Sequence, residues 1–357
     1  MSHKKLFIPG PVEVKQDVLE ACAVPMIGHR VPEYAELHGA CVPLLKQLLY
    51  TKNDVFLFTS SSTGAMEAGV RNCAKKGAVA CMLGAFSDRW YQISVQNAKK
   101  TAKCQVEWGK AIRANMIEEH LKTGEYDCVL LVHNETSAGV MNPIEEIADM
   151  MRKYPDVVFV VDAVSSMAGV KIEMDRLGID VLLAGSQKAF GMPPGLTVCA
   201  VSQKAMDRAK TITDRGYYFD FIEMSKFSVK SQTPCTPAVS LLYGLRHQLQ
   251  KFFKEGLDAR FKRHLDLRDT CWSWIKEHGF GLFPEKGFES VTLTCAANTR
   301  KVDVPKWVKL VSERGFVISE GYGKLKNDAF RVAHMADCTV AELKECLGVM
   351  SEELKKA

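Results

Sequence analysis

This 357-residue chain has no two cysteines at C-x-x-C spacing, although it carries twelve cysteines. Zinc-site spacing is therefore absent, and no metal is expected. The cysteines are scattered singly, as at Cys73, Cys128, Cys199 and Cys295, many inside apolar runs. A chain this long and core-rich needs no disulfide scaffold, so they read as reduced thiols packed as small hydrophobes. No stretch approaches the ~20 apolar residues of a membrane-spanning helix, and no membrane partner is expected. The stretch from Met1 to Gly10 is too briefly apolar for a secretory signal. The end, Lys355-Lys356-Ala357, lacks the final Leu of the peroxisomal tripeptide. A cytoplasmic location is the expectation. Lys and Arg (47) are interspersed with Asp and Glu (42), for a mild net charge of +5; without a basic stripe, nucleic acid is not an expected partner. No G-x-G-x-x-G follows an early strand, which argues against a dinucleotide-dependent oxidoreductase. Repeats, low-complexity segments and long linkers are also missing.

What is present is a soluble globular composition, 47% apolar and 25% charged. Short apolar runs alternate with longer amphipathic segments. Val55 to Phe58, Ala78 to Met82, Cys128 to Val132, Val157 to Val161, Val181 to Leu183 and Thr197 to Val201 read as buried strands. Helix-like stretches such as Thr63 to Lys75 and Ile144 to Tyr154 lie between several of them. Strands without polar alternation, separated by helices, predict an α/β fold with a mainly parallel sheet covered on both faces. The pattern fades after about residue 202. Ala238 to Lys276 reads as long helices. Strand-like Ser290 to Thr294 and Phe316 to Ile318, with helices over Val304 to Gly315 and Thr339 to Lys355, then predict a small α+β domain. The boundaries expected are an N-terminal segment over 1–17, a large domain over 18–250 and a small domain over 251–357.

Chemistry concentrates after the strands, where open α/β sheets bind ligands. Thr59 to Glu67 places Ser61, Ser62 and Thr63 between a strand and a helix, as a phosphate cradle or as ordinary helix caps. Phe86, after the next strand, offers a stacking face or a core residue. His133 to Gly139 is a polar cluster in which His133 reads as a hydrogen-bonded structural histidine. The run Val157 to Val161 ends in Asp162, and Lys188 stands 26 positions further on, among small residues after Val181 to Leu183. Each alone has a plain alternative, a cap or a solvated charge. Jointly they are what pyridoxal phosphate chemistry needs: an amine for a Schiff base and a carboxylate for the protonated pyridine nitrogen.

These residues, with Phe7 to Val12, Met26 to Arg30, Ser61 to Glu67, His133 to Val140, Val161 to Ser166, Gly185 to Ala189, Pro193 to Gly195, Thr236 to Ala238 and Phe330 to Ala333, resemble the class V aminotransferases of pyridoxal-phosphate fold type I over the whole chain. The likeness is strongest to the alanine–glyoxylate, serine–glyoxylate and serine–pyruvate group. It implies pyridoxal 5'-phosphate as cofactor and a ping-pong transamination from alanine or serine, or else aspartate, to glyoxylate or pyruvate. Lys188 would hold the cofactor and then carry the proton; Asp162 would keep the ring nitrogen protonated. Ser61, Ser62 and Thr63 would hold the phosphate with Gln187 nearby. Phe86 would stack on the ring, and Thr136 would contact its oxygen side. Thr236 would reach the phosphate of a neighbouring subunit, which makes a homodimer part of the site. Arg331 would grip the substrate α-carboxylate in a fork, while Gly10, Pro11, Gly28 and His29 would crowd the substrate side. No second arginine for a side-chain carboxylate is identified; Arg30 and Arg89 are candidates, each also readable as an ion-pair member. The chain departs from the family where Thr63 replaces a frequent histidine and where Ser231 to Cys235 lacks a tyrosine. Two other readings stay open: a cysteine desulfurase-like lyase, which needs a nucleophilic cysteine that neither Cys295 nor Cys338 supplies well, and a non-catalytic interaction protein on the same fold.

Overall fold

The computed structural model describes residues 3–356; Met1 and Ala357, named above at the two ends, lie outside the described residues, as does Ser2. A seven-stranded sheet organises the first two-thirds of the chain. From one edge its order is Asp54–Phe58, Thr197–Val201, Val181–Gly185, Val158–Asp162, Cys128–Val132, Ala78–Met82 and Thr101–Gln105. Thr197–Val201 is antiparallel to both of its neighbours, and the other pairs are parallel. Alternate side chains fill two separate cores. Val55, Val79, Val129, Phe159 and Leu182 pack on one face. Phe56, Ala80, Leu130, Val160 and Leu183 pack on the other. Burial of both faces is why these strands are continuous apolar runs.

Thr101–Gln105 escaped the sequence reading. It is an edge strand with only Cys104 buried, so its polar residues hide the pattern.

After the sheet, helices Val239–Glu255 and Leu257–Glu277 are separated by Gly256, whose φ of +87° ends the first. The division expected after residue 250 thus falls inside a helix, and the chain turns at Gly256. A four-stranded antiparallel sheet follows, ordered Gly281–Leu282, Leu293–Ala297, Ala329–Ala333, Ser319–Glu320. Its core stacks Trp274 on Trp307 at 6.1 Å, with Phe330 edge-on to Trp307 at 4.9 Å. The strand expected over Ser290 to Thr294 is displaced to Leu293–Ala297. The Ser290 hydroxyl accepts from the backbone N–H of Thr292 and Leu293, and this local turn competes with the ladder. At the other end of the chain, Lys5–Leu6 pairs in parallel with Phe316–Val317, and Phe7 enters the small-domain core. Among the described residues no helix is long and apolar enough to cross a membrane. All twelve cysteines are free.

Candidate active site

Reversal of the Thr197–Val201 strand lets the five strands that carry or precede the candidate residues end on the same side of the sheet. Ser61 to Thr63 follow Asp54–Phe58, Phe86 follows Ala78–Met82, and Asn134 to Thr136 follow Cys128–Val132. Asp162 closes its own strand, and Lys188 follows Val181–Gly185. They meet around one open cavity of about 150 Å³. Of the expected residues, Ser61, Ser62, Thr63, Phe86, Thr136, Asp162, Gln187 and Lys188 all border it.

The turn that carries Lys188 is fixed from several directions. The Ser186 hydroxyl donates to the Pro193 carbonyl at 2.7 Å, and the Gly191 N–H donates to the Lys188 carbonyl at 2.8 Å. The Val12 N–H donates to the Gln187 carbonyl at 3.1 Å, bringing the N-terminal segment over the turn. Gly10, at φ +122°, lies against the lysine stem; a Cβ there would stand 2.9 Å from Lys188 Cδ and Cε. Both the backbone and the close approach demand glycine. The Lys188 amine sits 5.4 Å from the centre of the Phe86 ring. Burial pulls its pKa down to about 8, Arg331 pushes the same way, and Asp162 opposes.

Asp162 is 5% exposed and accepts a 2.8 Å hydrogen bond from the Val164 N–H. Burial raises its pKa to about 7 in spite of that donor. A positively charged ring nitrogen beside it would return the carboxyl to its ionised form. His133 is buried against the Ser166 hydroxyl at 2.9 Å, and burial lowers its pKa to about 4. It is a neutral structural group.

Helix Ala85–Gln96, which presents Phe86, is held by a carboxylate the sequence reading passed over. Glu135 is fully buried and accepts from the Ser87 N–H at 2.8 Å and the Phe86 N–H at 3.4 Å. It also accepts from the Ser137 hydroxyl at 2.6 Å, and that hydroxyl in turn accepts from the Ala85 N–H. An anion on exposed N–H groups at a helix start is electrostatically favourable. Val164, Ser165 and Asn134, which also line the cavity, were likewise missed. Their signal was proximity to Asp162 and to the His133 cluster. Ser165 Oγ lies 2.5 Å from Thr136 Oγ1 and fixes that hydroxyl.

Arg331, on the central strand of the small sheet, reaches across to the large domain. Its Nε donates to the Glu320 carbonyl at 3.2 Å and its Nη1 to the Thr136 carbonyl at 3.4 Å. Gly28 and Thr236 are exposed and His29 half-buried, and none of the three borders the cavity. Thr236 lines a separate crevice with Thr59, Tyr218 and Cys235. Arg30 donates to the Thr233 carbonyl at 2.7 Å, on that same side. Cys295 is buried opposite Arg331 in strand register, and burial pushes its thiol up to about 12. Burial does the same to Cys338. Neither is a ready thiolate nucleophile.

Ser62 Oγ is buried without a hydrogen-bond partner at the first turn of helix Ser62–Cys73, and Ser61 makes no side-chain cap. A Cβ at Gly185 would collide with Ser62 Oγ, so only glycine lets the strand end approach the serine loop. Free hydroxyls at a helix start, an apolar wall from Phe86 and Val164, and a lysine and an aspartate across the cavity fit a phosphorylated aromatic aldehyde in every part.

The class-V aminotransferase family model matches residues 26–325. An uncharacterized aminotransferase of Methanocaldococcus jannaschii is 35% identical over 99% of this chain and 93% of its own. The L-aspartate–glyoxylate aminotransferase of Paracoccus denitrificans is 31% identical over 95% of this chain and 88% of its own. Among solved structures, an alanine–glyoxylate aminotransferase from Nostoc superposes with a TM-score of 0.94 at 25% identity, covering 99% of this chain and 96% of that one. The chain belongs to the class-V aminotransferases, and it is a pyridoxal-phosphate-dependent transaminase.

Proposed function

We propose that the enzyme moves the amino group of a small amino acid, alanine or serine with aspartate as the alternative, to glyoxylate or pyruvate in two half-reactions at one site. The observation that supports this is the cavity that Lys188 shares with Asp162 and the serine loop, with Arg331 near enough to push the Lys188 pKa down. When bound, the cofactor supplies an electron sink conjugated to the substrate Cα. Lys188, with its amine held near neutrality by burial, takes and returns the Cα proton. Asp162 holds the proton on the ring nitrogen. Ser61, Ser62, Thr63 and Gln187 hold the phosphate, and Thr136, fixed by Ser165, faces the ring oxygen. Arg331 takes the substrate carboxylate in a planar fork that Lys cannot reproduce. Gly10 closes over the lysine stem and favours small donors.

Gly28, His29 and Thr236 act in this reading across a homodimer interface. The exposed apolar side chains Val24, Met26, Val31, Tyr217 and Val229 support such a covered face. The 1–17 segment, the cofactor-binding domain up to Gly256 and the small domain beyond it are the working units. Free thiols suit a reducing cytoplasm.

Steady-state rates with a panel of donors, including alanine, serine and aspartate, against glyoxylate and pyruvate test the proposal. Parallel double-reciprocal lines and preference for a small donor are expected. Sulfide release from cysteine without any amino transfer would overturn it.

A further inference from the structure

We propose that Arg89 is the cation that recognises the phosphate of the cofactor, and that Thr63 acts there by aiming it. The proposal rests on the cofactor placement given above and names a residue that placement did not include.

Arg89 stands one helical turn beyond Phe86 on helix Ala85–Gln96, so the two share a face. Its guanidinium carbon is 5.3 Å from the centre of the Phe86 ring, and the side chain borders the cavity. Among the described residues its one hydrogen bond runs from Nη1 to Thr63 Oγ1, at 2.9 Å, and no carboxylate pairs with it. The remaining N–H donors of a half-buried guanidinium are thus uncommitted beside the serine loop.

Charge accounting at that end of the cavity points the same way. Ser61, Ser62, Thr63 and Gln187 are neutral, and a helix start offers only about half a positive charge. A bound phosphate carries nearly two negative charges. Lys188 is committed to the reacting end, and Arg331 is held by the Glu320 and Thr136 carbonyls. Among the described residues that line the cavity, Arg89 is the cation left beside the loop. Because the Thr63 oxygen accepts from Arg89, Thr63 orients that guanidinium and keeps its own O–H to donate to the phosphate, and this gives the departure at Thr63 a physical role.

The test compares pyridoxal phosphate with pyridoxal, which lacks the phosphate, on apoenzyme of the wild type, Arg89→Gln, Arg89→Lys and Thr63→Val, by equilibrium titration. Removing a charge-assisted fork predicts a loss of pyridoxal phosphate affinity of about ten- to a hundredfold in Arg89→Gln. Pyridoxal affinity should stay within about twofold on the same grounds. Arg89→Lys and Thr63→Val should lose less, in the same direction. Inorganic phosphate should compete with pyridoxal phosphate in the wild type and less well in Arg89→Gln. Equal weakening of both aldehydes would mean that Arg89 only supports Phe86, and would overturn the proposal. Unchanged affinity with a raised KM for aspartate alone would also overturn it, by assigning Arg89 to a second substrate carboxylate. If Arg89→Gln does not fold, the Lys variant and the phosphate competition decide: equal losses for both aldehydes, or no competition, refute it. A wild type that binds neither aldehyde would refute the cofactor placement itself.

Discussion

Replacing Asp162 by asparagine isolates the electrostatic cost that the cavity imposes on the protein free of cofactor. The carboxyl is buried and its pKa is raised from 3.8 to about 7. A raised carboxylate pKa means the folded state disfavours the ionised form. Below about pH 3.8 both states are protonated and nothing is lost. As pH climbs from there to about 7, the unfolded chain ionises first and the folded state loses ground; above about 7 the loss is complete and flat. At about 1.4 kcal/mol per pH unit, the full loss approaches about 4 kcal/mol. The amide introduced by Asp162→Asn would keep the acceptor for the Val164 N–H and carry no such loss. With about 2.1 cal/mol/K of unfolding entropy per residue over 357 residues, that energy corresponds to about 5 °C. Thermal midpoints of the two apoenzymes should therefore agree near pH 4, and the Asp162→Asn variant should melt about 5 °C higher at pH 7.5. His38 and His133, each lowered to about 4 by burial, lose stability as pH falls from 6.5. Both proteins share those contributions, and they cancel in the difference. Lys188 stays protonated in both states through most of this window. Saturating pyridoxal phosphate should reverse the order, since only the carboxylate pairs with a protonated ring nitrogen. A difference that stays flat with pH, or a variant that is the less stable at pH 7.5, would refute the reasoning.

Lys188→Ala should abolish amino transfer and the visible absorbance of lysine-bound cofactor in the purified protein; retained turnover would remove Lys188 from its role. Glu135→Ala leaves buried donors at Phe86, Ser87 and Ser137 unpaired and should cost at least about 1–3 kcal/mol in denaturant unfolding, whereas Glu135→Gln should recover part of that and of the cofactor affinity. Arg331→Lys keeps the charge and loses the fork, so KM for the amino donor should rise about tenfold or more while cofactor affinity stays put; a selective change in cofactor affinity would contradict its assignment to substrate.

What the sequence disclosed followed the physics of burial. The central strands were legible because a sheet covered on both faces leaves no polar position to break the run. Thr101–Gln105 was not, because an edge strand faces water with the polar residues that mask it. Asp162 and Lys188 were legible for a related reason: each is a charge shortly beyond an apolar run, Lys188 after a few small and polar residues, which places it near a strand end without any knowledge of the partners. Ser290 marks the opposite case. Its hydroxyl takes two backbone donors, so the strand begins only at Leu293, and composition alone does not register that competition.

Arg89 and Glu135 show why the rest of the site stayed hidden. Arg89 reads in the sequence as a second carboxylate anchor or an ion-pair member, and only its hydrogen bond to Thr63, far away in sequence, points elsewhere. A glutamate after a strand looks like a surface acid until three residues of another helix turn are found donating to it or to its neighbour Ser137. Glu135 follows Cys128–Val132, the sheet neighbour of Ala78–Met82, while Thr63 opens helix Ser62–Cys73, which packs on helix Ala85–Gln96. Sheet order makes the first contact and helix packing the second, and both meet on helix Ala85–Gln96. That same relation couples the two residues. Glu135 fixes the first turn of the helix, the turn fixes Phe86 and Arg89 on one face, and Arg89 then stands beside the serine loop. Weakening Glu135 should for that reason lower affinity for pyridoxal phosphate and pyridoxal together, whereas weakening Arg89 separates them. The pair of substitutions distinguishes a scaffold effect from a charge effect at one cavity.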